Sequence, residues 1–109
     1  MINVVASRYA EALFQIGEDE NLVDLLYSEL KTVVDIFDEN QEFFNIIKSP
    51  VISKKEKIEL IDKVFSKGLN SNSINFLKIL IEKDRISFIA DILSLSITNF
   101  KKLFILLLN

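Results

Sequence analysis

The stretch from Val4 to Gly17 constrains the fold of this chain most strongly, because its polar and apolar residues separate cleanly on a helix. At about 100° per residue, the apolar side chains cover an arc of roughly 200°. Burial on one side of a helix needs a stripe only about half as wide. We therefore expect two packing partners for this helix. One is its own bundle, and the other is either a neighbouring helix of the same chain or a helix of another protein.

Small residues within this stretch indicate how close a partner helix can come. Ala6, Ala10 and Ala12 alternate with large residues, so a second helix axis can approach toward the low end of the usual spacing of about 8–10 Å. Tyr9 is the amphipathic member of the arc. Its ring can pack while its hydroxyl reaches water or a polar group of a partner, which is typical of interfaces.

The composition favours a single helical domain. A chain of 109 residues can bury one core, and 2 glycines with 1 proline are too few for the many turns of a strand-rich fold. The absence of Cys and His excludes disulfides, thiolate nucleophiles and zinc sites built from cysteine or imidazole. A net charge of −3 argues against a nucleic-acid partner.

Apolar residues recur at spacings of three and four along most of the chain, which predicts five further helices. The first two run over about residues 21–38 and over the short stretch 41–47. The others lie behind Ser53, over about residues 74–83, and from after Asp84-Arg85 to about residue 103. The predicted fold is all-α: a single six-helix bundle with one short helix over residues 1–103, followed by an apolar tail over residues 104–109. In the short helix, four large apolar side chains must be held by the bundle.

Several residue patterns predict where these helices begin and end. Asn40 can cap the short helix, and Ser49-Pro50 ends it, because the residue before proline is pushed out of the helical region. Ser53 to Glu56 reads as a capping box. Gly68 stands where a left-handed residue often ends a helix, and Asn70 to Ser73 offers caps for the next one.

The fifth helix resembles the first in its wide apolar arc, which spans roughly 220° by the same construction. Three of its residues suit the core: Ile74, Leu77 and Ile81. Phe76 and Ile79 lie toward the far edge of the arc, with Lys83 nearby as a rim charge. Glu29 and Asp35, by contrast, are expected on the solvent side of the second helix.

The two ends of the chain give weaker signals. The N-terminus shows no pattern of a signal peptide. The run from Leu103 to Leu108 is almost entirely apolar, but it is too short to span a bilayer. It either covers the bundle or provides a peripheral foothold on a membrane.

No catalytic motif is present. Phosphate-binding loops, dinucleotide glycine motifs and a serine elbow are all missing, and no nucleophile has a base in reach. Acidic clusters such as Glu18 to Glu20 read as solvated helix ends, and Lys54, Lys55 and Lys57 as surface lysines offset by neighbouring glutamates. We therefore expect no enzymatic activity, no cofactor, no metal, no nucleic acid and no direct small-molecule ligand.

Three segments carry a resemblance to a known family. The run Ser7–Phe14, S-R-Y-A-E-A-L-F, resembles the opening signature of the delta subunit of F-type ATP synthases, whose mitochondrial relative is the oligomycin-sensitivity-conferring protein. Asn75–Arg85 resembles the family's fifth helix and the turn after it, and Ser49–Ile52 resembles the segment before its fourth helix. The similarity runs from about Val4 to about Phe100.

This resemblance implies the family's N-terminal domain, a non-catalytic part of the peripheral stalk that holds the catalytic head against rotor torque. A groove between the first and fifth helices would receive the amphipathic N-terminal helix of an alpha subunit. The expected location is the cytoplasmic face of a bacterial membrane, as a peripheral component. The residues expected to bind the partner are Val5, Tyr9, Ala12, Ile16, Phe76, Ile79 and Lys83.

The resemblance stops short of the family's second domain, which meets the membrane-anchored stalk. We therefore expect that domain to be absent, and a stalk subunit to be a partner only if it were present. Two other hypotheses remain open at this point. One is a free helical adaptor or regulator that binds a different amphipathic helix, and the other is a small enzyme with a carboxylate site, which would need a polar cleft.

Overall fold

A computed structural model describes residues 3–96, and these residues form a bundle of helices. The prediction of an all-α fold is confirmed, since no strand occurs within this range. The helices are α1 Val4–Glu20, α2 Val23–Glu39, α3 Gln41–Lys48, α4 Lys54–Phe65 and α5 Ser71–Glu82, followed by a 3₁₀ turn Ile86–Phe88 that leads into α6 over residues 89–96. The predictions for the continuation to residue 103 and for the tail from Leu103 to Leu108 lie outside the described residues.

One continuous core lies between these helices. Helix α1 packs on α2, α4 packs on α5, and α2 also contacts α3 and α5. Buried leucine, isoleucine, valine and phenylalanine side chains from every helix fill the space between them, which is the dominant stabilising contribution in such a bundle.

The orientation of α1 follows from the small residues on its inner face. Ala6, Ala10, Leu13 and Gly17 are spaced by four, three and four residues, and all four are buried. At Gly17 the α2 backbone comes so close that an added Cβ would lie 3.0 Å from both Cα and Cγ2 of Val23. These residues, which we call the inner stripe of α1, therefore fix which side of α1 faces α2.

A tight turn brings Val23 to this position. Helix α1 continues through the polar run Glu18 to Glu20, which the sequence pattern had suggested as its end, and stops at Asn21 in the left-handed conformation with φ 56°. The backbone N–H of Leu22 donates to the Gly17 carbonyl at 2.7 Å, which closes the turn. Since only two residues separate α1 from α2, the helices are antiparallel neighbours.

Phenylalanine rings hold the short helix α3 on the bundle. Phe44 stacks on the buried Phe37 of α2, with ring centroids 4.5 Å apart and planes 9° from parallel. Phe43 contacts both Phe37 and Phe65 of α4. The expectation that four apolar side chains pin α3 is wrong for one of them, because Ile46 is 42% exposed.

Most of the predicted helix boundaries are confirmed. Ser49 ends α3, the Ser53 hydroxyl accepts from the N–H of Glu56 at 3.1 Å, and the Asn70 side chain accepts from the N–H of Asn72 at 2.8 Å. Asn40 stands at the start of α3, but its side chain donates to the Ile36 carbonyl at 2.8 Å. It therefore caps the end of α2 and not the beginning of α3.

The prediction of a left-handed Gly68 is wrong. Neither glycine has a positive φ, and the residue after α4, Ser66, remains right-handed. The N–H groups of Gly68 and Leu69 both donate to the Phe65 carbonyl, so α4 ends in a gradual turn that needs no left-handed residue.

The sequence pattern predicted that Glu29 would lie on the solvent side of α2, but the structure gives its side chain partners at the start of α5. Its carboxylate accepts from the backbone N–H of Asn70 at 2.9 Å and from the Ser73 hydroxyl at 2.7 Å. An acidic side chain beside the start of a helix is favoured by the helix dipole. Glu29 thus joins the middle of α2 to the first turn of α5.

A pair of glycine substitutions tests the close contact between α1 and α2. Gly17→Ala should lower the free energy of unfolding by about 1–3 kcal/mol, because overpacking against the Val23 backbone outweighs the better helix propensity of alanine. Gly68→Ala should raise it by about 0.4–1 kcal/mol, since nothing lies within 4 Å of the added Cβ. Denaturant unfolding measures both, and equal stabilisation by the two changes would show that α1 and α2 are not this close.

Removal of the Glu29 carboxylate tests the link between α2 and α5. Glu29→Ala should lower the free energy of unfolding by about 1–3 kcal/mol, because the Asn70 N–H and the Ser73 hydroxyl lose a charged acceptor. The matched control is Asp35→Ala on the same helix. Asp35 makes an exposed ion pair with Lys31 at 3.3 Å, so its removal should cost no more than about 0.5 kcal/mol. Equal losses in thermal or denaturant unfolding would contradict the link.

Candidate helix-binding surface

An outward-facing apolar strip runs along α1 beside its inner stripe. Val5, Tyr9, Ala12 and Ile16 are spaced by four, three and four residues, each one position before a member of the inner stripe. One position is about 100° of rotation, so this strip lies beside the buried face and not opposite it. Val5, Tyr9 and Ile16 are partly buried and Ala12 is exposed. We call these four residues the outer stripe of α1.

An aromatic contact ties the outer stripe to α5. The ring of Tyr9 meets the ring of Phe76 edge to face, with centroids 6.5 Å apart and planes at 75°. Phe76 is only 2% exposed. Its expected place at the open edge of α5 is therefore wrong for this structure, in which Phe76 belongs to the core and supports Tyr9 from beneath.

One turn after Phe76, an apolar residue of α5 is exposed. Ile79 is 44% exposed, and Lys83 is exposed immediately after the helix ends. Residues three and four apart share a helix face, so Phe76, Ile79 and Lys83 form one row. We call the outer stripe of α1 together with Ile79 and Lys83 the α1/α5 groove.

Most of the wide apolar arc of α5 is buried inside the bundle. The expectation that α5 exposes much more apolar surface than the bundle covers is therefore wrong. Helix α5 packs against α4, α2 and the 3₁₀ turn, so it is enclosed on several sides. Its buried apolar residues are Ile74, Phe76, Leu77, Leu80 and Ile81. The unpaired apolar surface of the groove therefore comes mainly from α1, and α5 contributes Ile79.

The chemistry of this surface suits a second amphipathic helix. Its centre is apolar, Tyr9 carries the one hydroxyl of the outer stripe, and polar residues flank the stripe on the exposed side, such as Arg8, Glu11 and Gln15. An amphipathic helix that lies in a groove places apolar anchors at spacings of three and four against a surface of this kind. Ala12 leaves room for close approach of the partner's backbone.

Within residues 3–96, no group of three or more acidic, cysteine or histidine side chains is arranged to hold a metal ion. No helix in the same range is long and apolar enough to cross a bilayer. The sequence pattern missed Glu29, whose partners lie 41 and 44 positions away. It also predicted Lys57 as a surface lysine, whereas this residue is only 5% exposed.

The match to known proteins covers most of the chain. Residues 5–103 match the protein family described as ATP synthase delta (OSCP) subunit. The ATP synthase subunit delta of Clostridioides difficile strain 630 is 54% identical over 93 residues, which cover 84% of this chain and 51% of that protein.

Similar proteins come from distant organisms. The sodium-ion-specific ATP synthase subunit delta of Ilyobacter tartaricus is 39% identical over 90 residues, covering 83% of this chain and 51% of its own length. The chloroplastic ATP synthase subunit delta of Cyanidium caldarium is 37% identical over 84 residues, which cover 77% of this chain and 46% of that protein. The chain thus spans about half the length of the curated relatives it matches. With nearly all of its described residues inside the family match, this chain belongs to the ATP synthase delta (OSCP) subunit family.

Proposed function

We propose that this chain is a non-catalytic component of the peripheral stalk of an ATP synthase, and that its α1/α5 groove binds the N-terminal amphipathic helix of an alpha subunit. The observation that carries the proposal is the outer stripe of α1, a continuous apolar strip that the chain's described helices leave partly uncovered. Membership of the delta subunit family supports a partner within the ATP synthase, and the alpha-subunit helix is the partner that the resemblance implies. By the same membership, the chain would lie at the cytoplasmic face of the membrane in a bacterium.

The proposed mechanism is mechanical. A helix in the groove buries apolar anchors, and a standard interface of this kind covers about 800 Å² on each partner. A stator must stay attached while torque acts on it, which requires slow dissociation. No bond is made or broken by this chain in that role.

Each residue of the groove has a distinct task in the proposal. Val5 and Ile16 supply apolar contacts near the two ends of the outer stripe, and Ala12 admits the partner backbone between them. Tyr9 packs edge to face on Phe76, and this contact would orient its ring before the partner arrives. Lys83 provides a cation at the rim, which suits an acidic side chain of the partner and should make association sensitive to salt.

A charge placed at the centre of the outer stripe tests the proposal. Ala12→Asp should weaken binding of a synthetic peptide from the first 20 or so residues of the alpha subunit by more than about 100-fold, because the carboxylate would be desolvated only in the complex. The isolated chain should remain folded, since Ala12 is exposed. Titration calorimetry gives the affinity, and circular dichroism checks the fold.

Ser28→Asp is the matched control for that change, because it adds the same charge at an exposed position of α2. It should change the affinity less than twofold. If the wild-type chain binds other amphipathic helices and not the alpha peptide, the adaptor hypothesis replaces the stator assignment. If Ala12→Asp unfolds the chain or leaves the peptide affinity unchanged, the groove is misplaced.

A pair of exposed aliphatic residues tests the α5 side of the groove. Ile79→Ala should raise the Kd for the alpha peptide about 5- to 30-fold, because apolar contact area is lost at the interface. Val64→Ala on α4, where the side chain is 52% exposed, should leave the Kd unchanged. A peptide affinity that depends on Val64 and not on Ile79 would place the partner on α4.

A further inference from the structure

A second candidate site lies between α3, α4 and the end of α5. None of the residues that line it belongs to the α1/α5 groove. An open pocket of about 510 Å³ forms where the loop after α3 meets the first turns of α4 and the turn after α5. Lys48, Lys54 and Lys57 line it, together with Ser53 and Asp84. Three lysine side chains therefore line this pocket, together with one aspartate side chain.

Lys57 is the unusual member of this group. It is 5% exposed, yet it takes part in none of the side-chain hydrogen bonds or ion pairs found among residues 3–96. Within the same residues, every fully enclosed side-chain nitrogen or oxygen has a partner. The ammonium of Lys57 must therefore remain accessible to solvent. Lys57 lines both this pocket and a smaller adjoining one of about 50 Å³.

The other two lysines differ in whether a carboxylate neutralises their positive charge. The Lys54 ammonium lies 3.3 Å from the Asp84 carboxylate and donates to the Glu82 carbonyl at 2.7 Å, so its charge is paired. The Lys48 ammonium lies 4.3 Å above the centre of the Phe44 ring, which offers no formal negative charge. About two positive charges, from Lys48 and Lys57, thus remain without a carboxylate at the pocket.

The start of α4 adds backbone donors at the same place. Ser53 is the N-cap of α4. Its hydroxyl accepts a hydrogen bond from the Glu56 N–H, and its carbonyl accepts one from the Lys57 N–H. The N–H groups of Lys54 and Lys55 belong to the first turn and have no partner within the helix. Free N–H groups and the positive end of the helix dipole attract anions.

We propose that this pocket, which we call the α4 pocket, binds a phosphate dianion, either as inorganic phosphate or as the phosphoryl end of a nucleotide. The Lys57 stem is buried while its ammonium stays open, and the Lys48 side chain is exposed beside the same pocket, so a bound dianion would lie near two positive charges that have no carboxylate partner. Lysine binds phosphate as a point charge, and phosphate has enough acceptor oxygens for the ammonium of Lys57, that of Lys48 and a backbone N–H together. The sequence pattern, which placed Lys57 on the surface, had predicted no small-molecule ligand.

The direct test is a chemical-shift titration of the 109-residue chain with inorganic phosphate, ADP and ATP in separate arms, with chloride at matched ionic strength as reference. The expected result is saturable shifts confined to Ser53, Lys54 and Lys57 with phosphate or with a nucleotide. An at least tenfold tighter Kd in one arm identifies free phosphate or nucleotide as the preferred source. Shifts spread over all lysines, or shifts that chloride reproduces, would overturn the proposal.

Substitutions distinguish a built site from general charge attraction. Lys57→Met keeps an apolar stem in the buried position and should raise the Kd at least tenfold, whereas Lys55→Gln, at the same helix start but outside the pocket lining, should change it less than twofold. Lys48→Gln is an exposed change that does not threaten the fold and should also raise the Kd several-fold. Equal effects of Lys48→Gln and Lys55→Gln would show that no defined site exists.

Discussion

The close contact of α1 with α2 is the constraint on which the rest of the structure depends. Gly17 lets the two helices approach until its position meets the Val23 backbone, and Ala6 and Ala10 are buried on the same face of α1. A larger residue on this face would push α1 away or rotate it, and a rotation of one residue is about 100°. The outer stripe of α1 therefore faces outward because the inner stripe admits no other orientation, and the candidate binding surface follows from packing.

Hydrogen bonds from other helices reach both ends of α5 and help to position it beside the groove. Glu29 of α2 holds the first turn through Asn70 and Ser73, and Lys54 of α4 holds the last turn through the Glu82 carbonyl. Between these two points Phe76 fills the space beneath Tyr9. A surface whose walls are fixed before binding loses little entropy when a partner docks, which suits a stationary mechanical joint.

The features that sequence could predict are those set by local periodicity. The helices follow from apolar spacings of three and four, and the capped start of α4 follows from the pattern Ser53 to Glu56. The four residues of the outer stripe were expected from the family resemblance. Features that depend on a distant residue could not be read in this way. Phe76 and Ile79 lie one turn apart in the apolar arc of α5, and only the packing of other elements around α5 leaves Phe76 buried and Ile79 exposed. Lys57 and Glu29 look like surface charges in the sequence, and only the fold brings the start of α5 to Glu29 and brings residues of α3 and α5 to Lys57.

The most direct test of the central claim is to locate the alpha-subunit helix on the chain by intermolecular nuclear Overhauser effects in a saturated peptide complex. The account predicts contacts from the apolar face of the peptide to Tyr9, Ala12 and Ile79, with Leu13 keeping its contacts to α2. Contacts confined to another face of the bundle, or no saturable complex with a folded chain, would contradict the assignment of the α1/α5 groove.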